Sequence, residues 1–428
     1  MKKILILFTI FSIIFYVTPV NAESLNFENA SSYILIDSKT GQILYGHNTD
    51  KKLYPASVTK IMTAILALEK GDLNQIMTAS QAAIDDIGVD GMNIGIMPGE
   101  ELRMEDLLNA MLVISANETA NIIAENICPT RKDFIDLMNQ KATEIGAVNT
   151  HFVTTCGAHD PDHYSTTADF AKIARYAMQI PKFREIVCKS SYQMPPTNKH
   201  STWDTLYSTN KFLGQTSQYF TKILGIKTGY TSQAGNNLVS SAANADGEEL
   251  IAVVFGVFGA NAKQDVISYS KKLLEYGFSN YPLQSVVEAN KVMKNVNVEN
   301  ASSNSTLDLV TSEELKSALP LDKSTWNIIS KENIPASIKA PISKGQVLGY
   351  IEYEKDGISL GKVNLVASAS ISERIKSQTA PSAKTPMENT LFKKVLIGVF
   401  VLMLVFLATR IVLRKISRNL NSKSQEER

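Results

Sequence analysis

The chain has 428 residues, of which 44% are hydrophobic and 20% charged, and its formal net charge is +1. This composition is typical of folded globular proteins, and the balanced charge argues against a nucleic-acid binder held by bulk positive charge. At about 150 residues per domain, the length predicts roughly two or three domains.

The chain begins with the pattern of a secretory signal peptide, residues 1–22. Lys2 and Lys3 precede an uncharged, largely apolar run from Ile4 to Val17, and small residues lead to a cleavage site after Ala22. An uncleaved anchor is the alternative, but this run is shorter than the about 20 residues needed to span a bilayer. We therefore expect an exported protein.

The exported region is predicted to begin and end with strands, with helices between them. Two apolar runs, Ser32–Asp37 and Gln42–His47, flank a turn and predict a β-hairpin. Helical patterning follows almost continuously from Ser57 to Gln179. Two further strand-like runs, Asn237–Ala243 and Glu249–Val257, flank another turn. We expect an α+β domain in which helices pack on one antiparallel sheet.

Changes in composition predict the domain boundaries. The α+β domain is expected to occupy residues 23–280. Short alternating stretches after it predict a small all-β domain over residues 281–369. Residues 370–390 are rich in Ser, Thr, Ala, Pro and Lys and are expected to form a linker.

A transmembrane helix is predicted over residues 391–413. Val395–Thr409 carries no charge, and flanking lysines can extend their charged ends to the lipid headgroups. An interfacial helix is the alternative, but it would need a polar face, which this run lacks. The basic tail, residues 414–428, predicts a cytoplasmic C-terminus, with the folded domains on the other side of the membrane.

Three cysteines lie in the exported region: Cys128, Cys156 and Cys188. An odd number cannot form a closed set of disulfides within one chain. One disulfide with a free thiol and three free thiols both remain open.

The first chemical motif is Ser57-Val58-Thr59-Lys60. The string S-x-x-K occurs at four places, but here it opens a helical pattern that ends at Gly71. This spacing puts Ser57 and Lys60 one turn apart on the same face of a helix. The hydroxyl is then a candidate nucleophile, and the amine is a candidate base if burial lowers its pKa. The alternative is a helix-capping serine followed by a solvated lysine.

Two further motifs follow. Lys227-Thr228-Gly229 lies near the closing strands and offers a positive charge, a hydroxyl and close backbone approach to a substrate carboxylate. An earlier copy of K-T-G, Lys39–Gly41, is explained by the hairpin turn. Ser115-Ala116-Asn117 precedes a helical stretch, so a plain helix cap is its alternative. Each motif is weak alone, but their order and separations form a strong joint signal.

With these motifs the chain resembles the serine D-alanyl-D-alanine carboxypeptidases, which are low-molecular-weight penicillin-binding proteins. The resemblance is clearest at Tyr54–Thr63 and Gly225–Thr231, and it extends to Asp37–Gly41 and His163–Asp169. It covers about residues 30–280 and, more loosely, the β-rich domain. It implies a penicillin-binding, β-lactamase-like fold.

The resemblance also implies catalytic roles. Ser57 would attack the carbonyl between two D-alanines, with Lys60 as the base. Ser115 would relay a proton toward the leaving amine. Asn117 would hold both the substrate and Lys60. Water would then hydrolyse the acyl-enzyme.

The closing motif is implied to bind substrate. Lys227 and Thr228 would bind the terminal carboxylate beside Gly229, and the backbone N–H groups of Ser57 and Tyr230 would form the oxyanion hole. Peptidoglycan stem peptides are the expected substrates, and β-lactams are expected covalent inhibitors. No cofactor, metal or nucleic acid is expected, and the oligomeric state is not predicted.

The sequence departs from the family pattern at two places. Ala116 stands where the family usually has glycine, which is a small change. The segment Thr154–Ala158 also differs, and we expect it to bring Cys156 close to the cleft. This second difference leaves the shape of the cleft rim and the substrate preference open.

Other enzyme classes fit less well. A class A β-lactamase would need E-x-x-L-N after the S-x-N motif, whereas Glu105–Asn109 precedes it. A zinc peptidase is suggested by His159–His163, but that cluster lacks helical H-E-x-x-H spacing. A Ser-His-Asp hydrolase would need a histidine spaced to partner a serine, and the five histidines of the chain show no such spacing.

Three functional alternatives stay closer to the family: an endopeptidase that cleaves cross-links, a membrane-tethered β-lactam sensor, and a catalytically silent scaffold. A sensor would need a cytoplasmic signalling module, for which the residues after Leu413 are too few. A scaffold would be expected to have lost one of the catalytic residues, and all are present.

Overall fold

The computed structural model describes residues 25–88, 91–303, 306–374 and 390–423. The predicted signal peptide, most of the predicted linker and the end of the basic tail therefore lie outside the described residues. Within the described ranges the chain forms a helix-and-sheet unit, an all-β unit and a long C-terminal helix.

The helix-and-sheet unit extends from the first strand to the helix that ends at Asn280. Its strands are β1 (Ala30–Asp37), β2 (Ile43–His47), β3 (Ile76–Thr78), β4 (Glu101–Arg103), β5 (Ser191–Tyr192), β6 (Leu206–Tyr207), β7 (Lys222–Thr231), β8 (Gly235–Ala243) and β9 (Glu249–Val257). Its helices are α1 (Lys60–Lys70), α2 (Gln81–Asp85), α3 (Met104–Val113), α4 (Asn117–Ile127), α5 (Arg131–Ile145), α6 (Thr167–Ala177), α7 (Pro181–Val187) and α8 (Ala262–Asn280).

A five-stranded antiparallel sheet organises this unit, in the order β2-β1-β9-β8-β7. Successive side chains of a strand point to opposite faces, so each face of β1 contributes to a different core. Ile34 and Ile36 join the core formed with α1 and α3, whereas Tyr33 and Leu35 join the core formed with α8. The predicted hairpin and the predicted antiparallel sheet are confirmed.

The structure refines one sequence prediction and corrects another. The edge strand β7 carries Lys227-Thr228-Gly229, which the sequence placed only near the closing strands. The predicted helical stretch from Ser57 to Gln179 is interrupted by two short strands, β3 and β4, which pair antiparallel on either side of α2. Four glycines with positive φ or crowded surroundings lie among the described residues between α2 and β4, where they disfavour a helix: Gly88, Gly91, Gly95 and Gly99.

Helix α1 lies at the centre of the fold. Every residue from Lys60 to Ala67 is buried, and the helix ends at Gly71, as the sequence predicted. Its apolar side chains pack with those of α3, α4 and α6 in one continuous core. Lys60, the first residue of α1, is buried with them, which takes its amine out of water.

The second unit is all-β, as predicted. Its strands are β10 (Leu283–Val287), β11 (Val292–Glu299), β12 (Thr306–Thr311), β13 (Leu315–Ala318), β14 (Ile328–Asn333), β15 (Ile338–Lys339), β16 (Val347–Lys355) and β17 (Ile358–Ala367). Six of them form one sheet, in the order β14-β16-β17-β12-β11-β15. Ile371 and Glu373, inside the segment predicted as a linker, form bridges with Ile342 and Ala301.

The C-terminal helix, α9 (Thr390–Lys423), is 34 residues long. Its segment Phe392–Arg418 has a mean hydropathy of 2.7 over its most apolar window, and none of that window is buried inside the structure. By length and composition this helix is able to cross a membrane.

Candidate active site

Ser57 and Lys60 meet where the sheet and α1 converge. Ala56–Thr59 forms a 3-10 turn that leads directly into α1, and Ala56 has a positive φ of 51°. The turn brings the Ser57 hydroxyl within 2.8 Å of Lys60 Nζ. The spacing of the first motif therefore gives the contact that the sequence predicted.

Lys60 Nζ has two other partners, both of which only accept hydrogen bonds. Asn117 Oδ1 lies 2.6 Å away, and the carbonyl oxygen of Cys156 lies 2.9 Å away. A neutral amine has two N–H donors and one lone pair. When both donors serve these two acceptors, the lone pair is left facing Ser57.

Burial favours this neutral form of the amine. Lys60 is fully buried, and this desolvation lowers its pKa from 10.5 to about 8, although Cys156 and Glu118 oppose the shift. At pH 7 roughly a tenth of Lys60 is then in the neutral form that a base requires, on the order of a few hundred times more than for an ordinary lysine.

Asn117 is fixed by the loop that precedes β4. Its side-chain Nδ2 donates to the carbonyl of Ile87 at 2.7 Å, so its Oδ1 is directed at Lys60. Its backbone N–H donates to the carbonyl of Met92 at 2.7 Å. The S-x-N motif is thus more than a plain helix cap, since the cap residue of α4, Ala116, makes no side-chain cap.

Ser115 is placed differently from the other motif residues. It is largely buried and has a positive φ of 73°, at the junction of α3 and α4. The hydrogen bonds of Lys60 go to Ser57, Asn117 and Cys156, and not to Ser115. The structure therefore joins Ser57, Lys60 and Asn117 directly, and the hydrogen bonds of Lys60 do not include Ser115.

The edge strand β7 forms the opposite wall of the site. Lys227 is 1% exposed, and its Nζ donates to the carbonyl of Thr228 at 3.1 Å. Burial, and then the charge of Lys60, lower the pKa of Lys227 well below its usual value.

Gly229 lets β7 approach the turn that carries Ser57. A Cβ added at Gly229 would lie only 2.8 Å from the carbonyl oxygen of Pro55, so β7 needs glycine at this position. Tyr230 is exposed.

Two residues of the site were not predicted from the sequence. Asn237 on β8 is buried, and its Nδ2 donates to the carbonyls of Tyr54 and Pro55 at 2.9 and 3.0 Å. Its Oδ1 accepts from the backbone N–H of Gly256 at 2.8 Å, so Asn237 ties the sheet to the Ser57 turn. Thr209 is the second, because its hydroxyl lies 3.1 Å from that of Thr228. No local sequence pattern marks either residue, because their contacts join segments that are distant in the chain.

His163 has a structural partner. Its Nδ1 accepts from the backbone N–H of Val153 at 3.0 Å, so its Nε2 carries the hydrogen and donates to Thr59 Oγ1 at 2.8 Å. Burial lowers its pKa to about 3, which keeps the ring neutral. The described residues contain no group of three or more His, Cys, Asp or Glu side chains that could hold a metal ion.

The structure decides between the cysteine alternatives. Cys128, Cys156 and Cys188 are all free thiols. Cys156 does lie at the site, as its position in the sequence suggested, but it contributes its backbone carbonyl while its side chain is buried. Gly157 follows with a φ of 84°, and a Cβ there would lie 2.0 Å from the carbonyl oxygen of Ala56.

Comparisons with known proteins agree with this geometry. Residues 20–259 match the family described as D-alanyl-D-alanine carboxypeptidase, and residues 281–373 match the C-terminal domain of penicillin-binding protein 5. The chain belongs to the D-alanyl-D-alanine carboxypeptidase family, and the resemblance predicted from its motifs is confirmed.

Individual relatives cover most of the chain. The carboxypeptidase DacF of Bacillus subtilis is 31% identical over 79% of this chain and 85% of its own length. DacA of Haemophilus influenzae is 30% identical over 80% of this chain and 86% of its own length. The solved structure of penicillin-binding protein 5 from Haemophilus influenzae is 27% identical, with a TM-score of 0.61 over 82% of this chain and 99% of that chain.

Asn237→Ala should destabilise the protein and weaken acylation together. The substitution leaves the carbonyls of Tyr54 and Pro55 and the N–H of Gly256 without their partner, at about 1 to 3 kcal/mol for a buried unsatisfied group. Urea unfolding and labelling by a fluorescent penicillin measure the two effects. Asn236→Ala, at the half-buried neighbouring position, is the matched control and should change neither. Wild-type stability in Asn237→Ala would show that Asn237 does not hold the turn.

Proposed function

We propose that the chain removes the terminal D-alanine from peptidoglycan stem peptides through an acyl-enzyme at Ser57. The observation that carries this proposal is the set of contacts around Lys60, which leaves a lone pair facing the Ser57 hydroxyl. Membership of the D-alanyl-D-alanine carboxypeptidase family supplies the substrate class.

The proposed reaction has two steps. In the first, Lys60 takes the proton of Ser57 while Ser57 Oγ bonds to the carbonyl carbon between the two D-alanines. The C–N bond then breaks, the leaving amine takes this proton from Lys60 by way of the Ser115 hydroxyl, and D-alanine departs. In the second, water attacks the ester carbon, Ser57 regains its proton, and the shortened peptide is released.

Substrate binding is assigned to β7 and to Asn117. Burial and the charge of Lys60 lower the pKa of Lys227, and no described carboxylate opposes that shift, so the ammonium form of Lys227 needs a negative charge to balance it. The terminal carboxylate of the substrate would supply that balance, with the hydroxyl of Thr228 beside it. The backbone N–H groups of Ser57 and Tyr230 would hold the oxyanion, since Gly229 allows β7 to approach the turn.

We place this chemistry outside the cytoplasmic membrane. Helix α9 is long and apolar enough to span a bilayer once, and basic residues follow its apolar segment. With a cleaved signal peptide, the folded units would lie outside and the C-terminus in the cytoplasm. β-Lactams, which resemble the acyl donor, would act as covalent inhibitors.

Ser57→Ala should abolish the release of D-alanine from a pentapeptide ending in D-Ala-D-Ala, because Ser57 supplies the hydroxyl among the hydrogen-bond partners of the Lys60 amine. Peptide mapping of penicillin-labelled wild type should place the label on Ser57. The control is Ser268→Ala, which changes an exposed serine of another S-x-x-K string, on α8. This variant should retain both the release of D-alanine and the labelling by penicillin. A label on Ser268 would contradict the assignment of the nucleophile.

Lys227→Ala should remove most of the preference for a free terminal carboxylate. The lost contact is charge-assisted and worth roughly 1.5 to 3 kcal/mol, which is about 10- to 150-fold in kcat/KM. The measurement compares a D-Ala-D-Ala peptide with its C-terminal amide. Lys60→Ala should instead fail on both peptides, because the base is needed whatever the substrate carries. Full retention of the acid preference in Lys227→Ala would show that Lys227 does not bind the terminal carboxylate.

A chain ending at Arg374 should be soluble and should keep its activity on a soluble peptide. The apolar window of α9 has no buried residue, so its removal takes away the anchor without exposing a core. Fractionation between membrane and aqueous phases, followed by the peptide assay, measures both properties. Membrane association without α9, or loss of activity, would contradict the separation of anchor and active site.

A further inference from the structure

Glu118 is a buried carboxyl that the proposed reaction does not use. It is the second residue of α4, next to Asn117, and is 1% exposed. Its Oε1 accepts from the backbone N–H of Ile94 at 2.6 Å. Its Oε2 is also buried and has no hydrogen-bond partner among the described residues. A buried carboxyl oxygen without a partner is costly, which suggests an electrostatic role.

The charges around Lys60 indicate what that role is. Three groups face this amine from the elements packed against α1: Glu118 of α4, Cys156 of the segment before α6, and Lys227 of β7. Glu118 is the carboxyl among them. Burial raises its pKa, whereas backbone N–H groups at the start of α4, the N–H of Ile94 and the charge of Lys60 act in the opposite direction. Glu118 is therefore a buried carboxyl that interacts with the buried amine of Lys60.

We propose that Glu118 is a positioning residue, whose carboxylate is the fixed counter-charge that stabilises Lys60 when Lys60 takes the Ser57 proton. This inference rests on the proposed function, because it assigns Lys60 as the base. When Lys60 takes this proton, it becomes an ammonium ion inside the buried site. The loss of hydration makes that charged form costly. A preplaced carboxylate lowers that cost without moving, and the substrate carboxylate remains available to Lys227.

Two substitutions separate charge from loop support. Glu118→Gln keeps the size of the side chain and an oxygen that can accept from Ile94, but it removes the charge. Glu118→Asp keeps the charge and shortens the reach toward Ile94. The readout is the rate constant for acylation by a labelled penicillin, measured as a function of pH. For wild type, the rate should rise with pH to a plateau, with a midpoint near the Lys60 pKa of about 8, because only the neutral amine accepts a proton.

Glu118→Gln should move this midpoint to lower pH by roughly one unit, because loss of the negative charge disfavours the ammonium form. Its plateau should fall by up to roughly tenfold, since the same charge stabilises the transition state. Glu118→Asp should keep a midpoint close to wild type. If Glu118→Gln does not fold, Glu118→Ala tests the same shift.

Glu100→Gln is the matched control. Glu100 is also fully buried, and its Oε2 accepts from a backbone N–H of the same loop, that of Met97 at 2.8 Å. Its other partners are Thr197 and His200 rather than Lys60. The midpoint should therefore stay at its wild-type value. An equal shift in Glu100→Gln would show that the loop, and not the charge, sets the midpoint.

The outcomes distinguish this inference from the proposed function. If wild type is not acylated at Ser57, the proposed function fails. If wild type is acylated with a midpoint near 8 but Glu118→Gln has the same midpoint, only the role of Glu118 is wrong. A wild-type profile in Glu118→Gln with a loss of activity in Glu118→Asp would reduce Glu118 to a support for the loop.

Discussion

The burial of Lys60 is the constraint on which the rest of the site depends. An amine at the start of α1, inside the main core, is deprived of water and loses part of its preference for the charged form. A buried amine without hydrogen-bond partners would be unfavourable. In this structure Lys60 has three partners: Ser57, Asn117 and the carbonyl of Cys156. A core position that would ordinarily be apolar is thereby suited to accept a proton.

This arrangement needs several distant parts of the chain. Asn237 lies 183 residues from Tyr54 and yet holds the turn that presents Ser57. The loop before β4 orients Asn117, and Gly157 lets the Cys156 segment approach Ala56. Lys227 brings a second buried amine through the edge strand β7. The sheet and helices therefore act as a rigid frame for a few polar contacts.

Local patterns predicted much of this. Alternating apolar residues and turn signals located the β1–β2 hairpin and strands β8 and β9, and the S-x-x-K spacing predicted the Ser57–Lys60 contact. Strand β7 was less visible, because glycines at positions 225 and 229 interrupt its apolar pattern. Asn237, Thr209 and the carbonyl of Cys156 could not be predicted, since their roles arise only from contacts between distant segments. Helical periodicity likewise did not reveal β3 and β4, because each of these paired strands is only three residues long.

The central claim is that Lys60 is neutral often enough to act as a base, and its titration tests this most directly. Nuclear magnetic resonance of lysine side chains labelled with ¹⁵N and ¹³C can follow Lys60, assigned by the loss of its signal in Lys60→Arg. The account predicts a midpoint at a pH of about 8. A midpoint near the ordinary lysine value of 10.5 would contradict it, because Lys60 would then be an ammonium ion that cannot take the Ser57 proton at neutral pH.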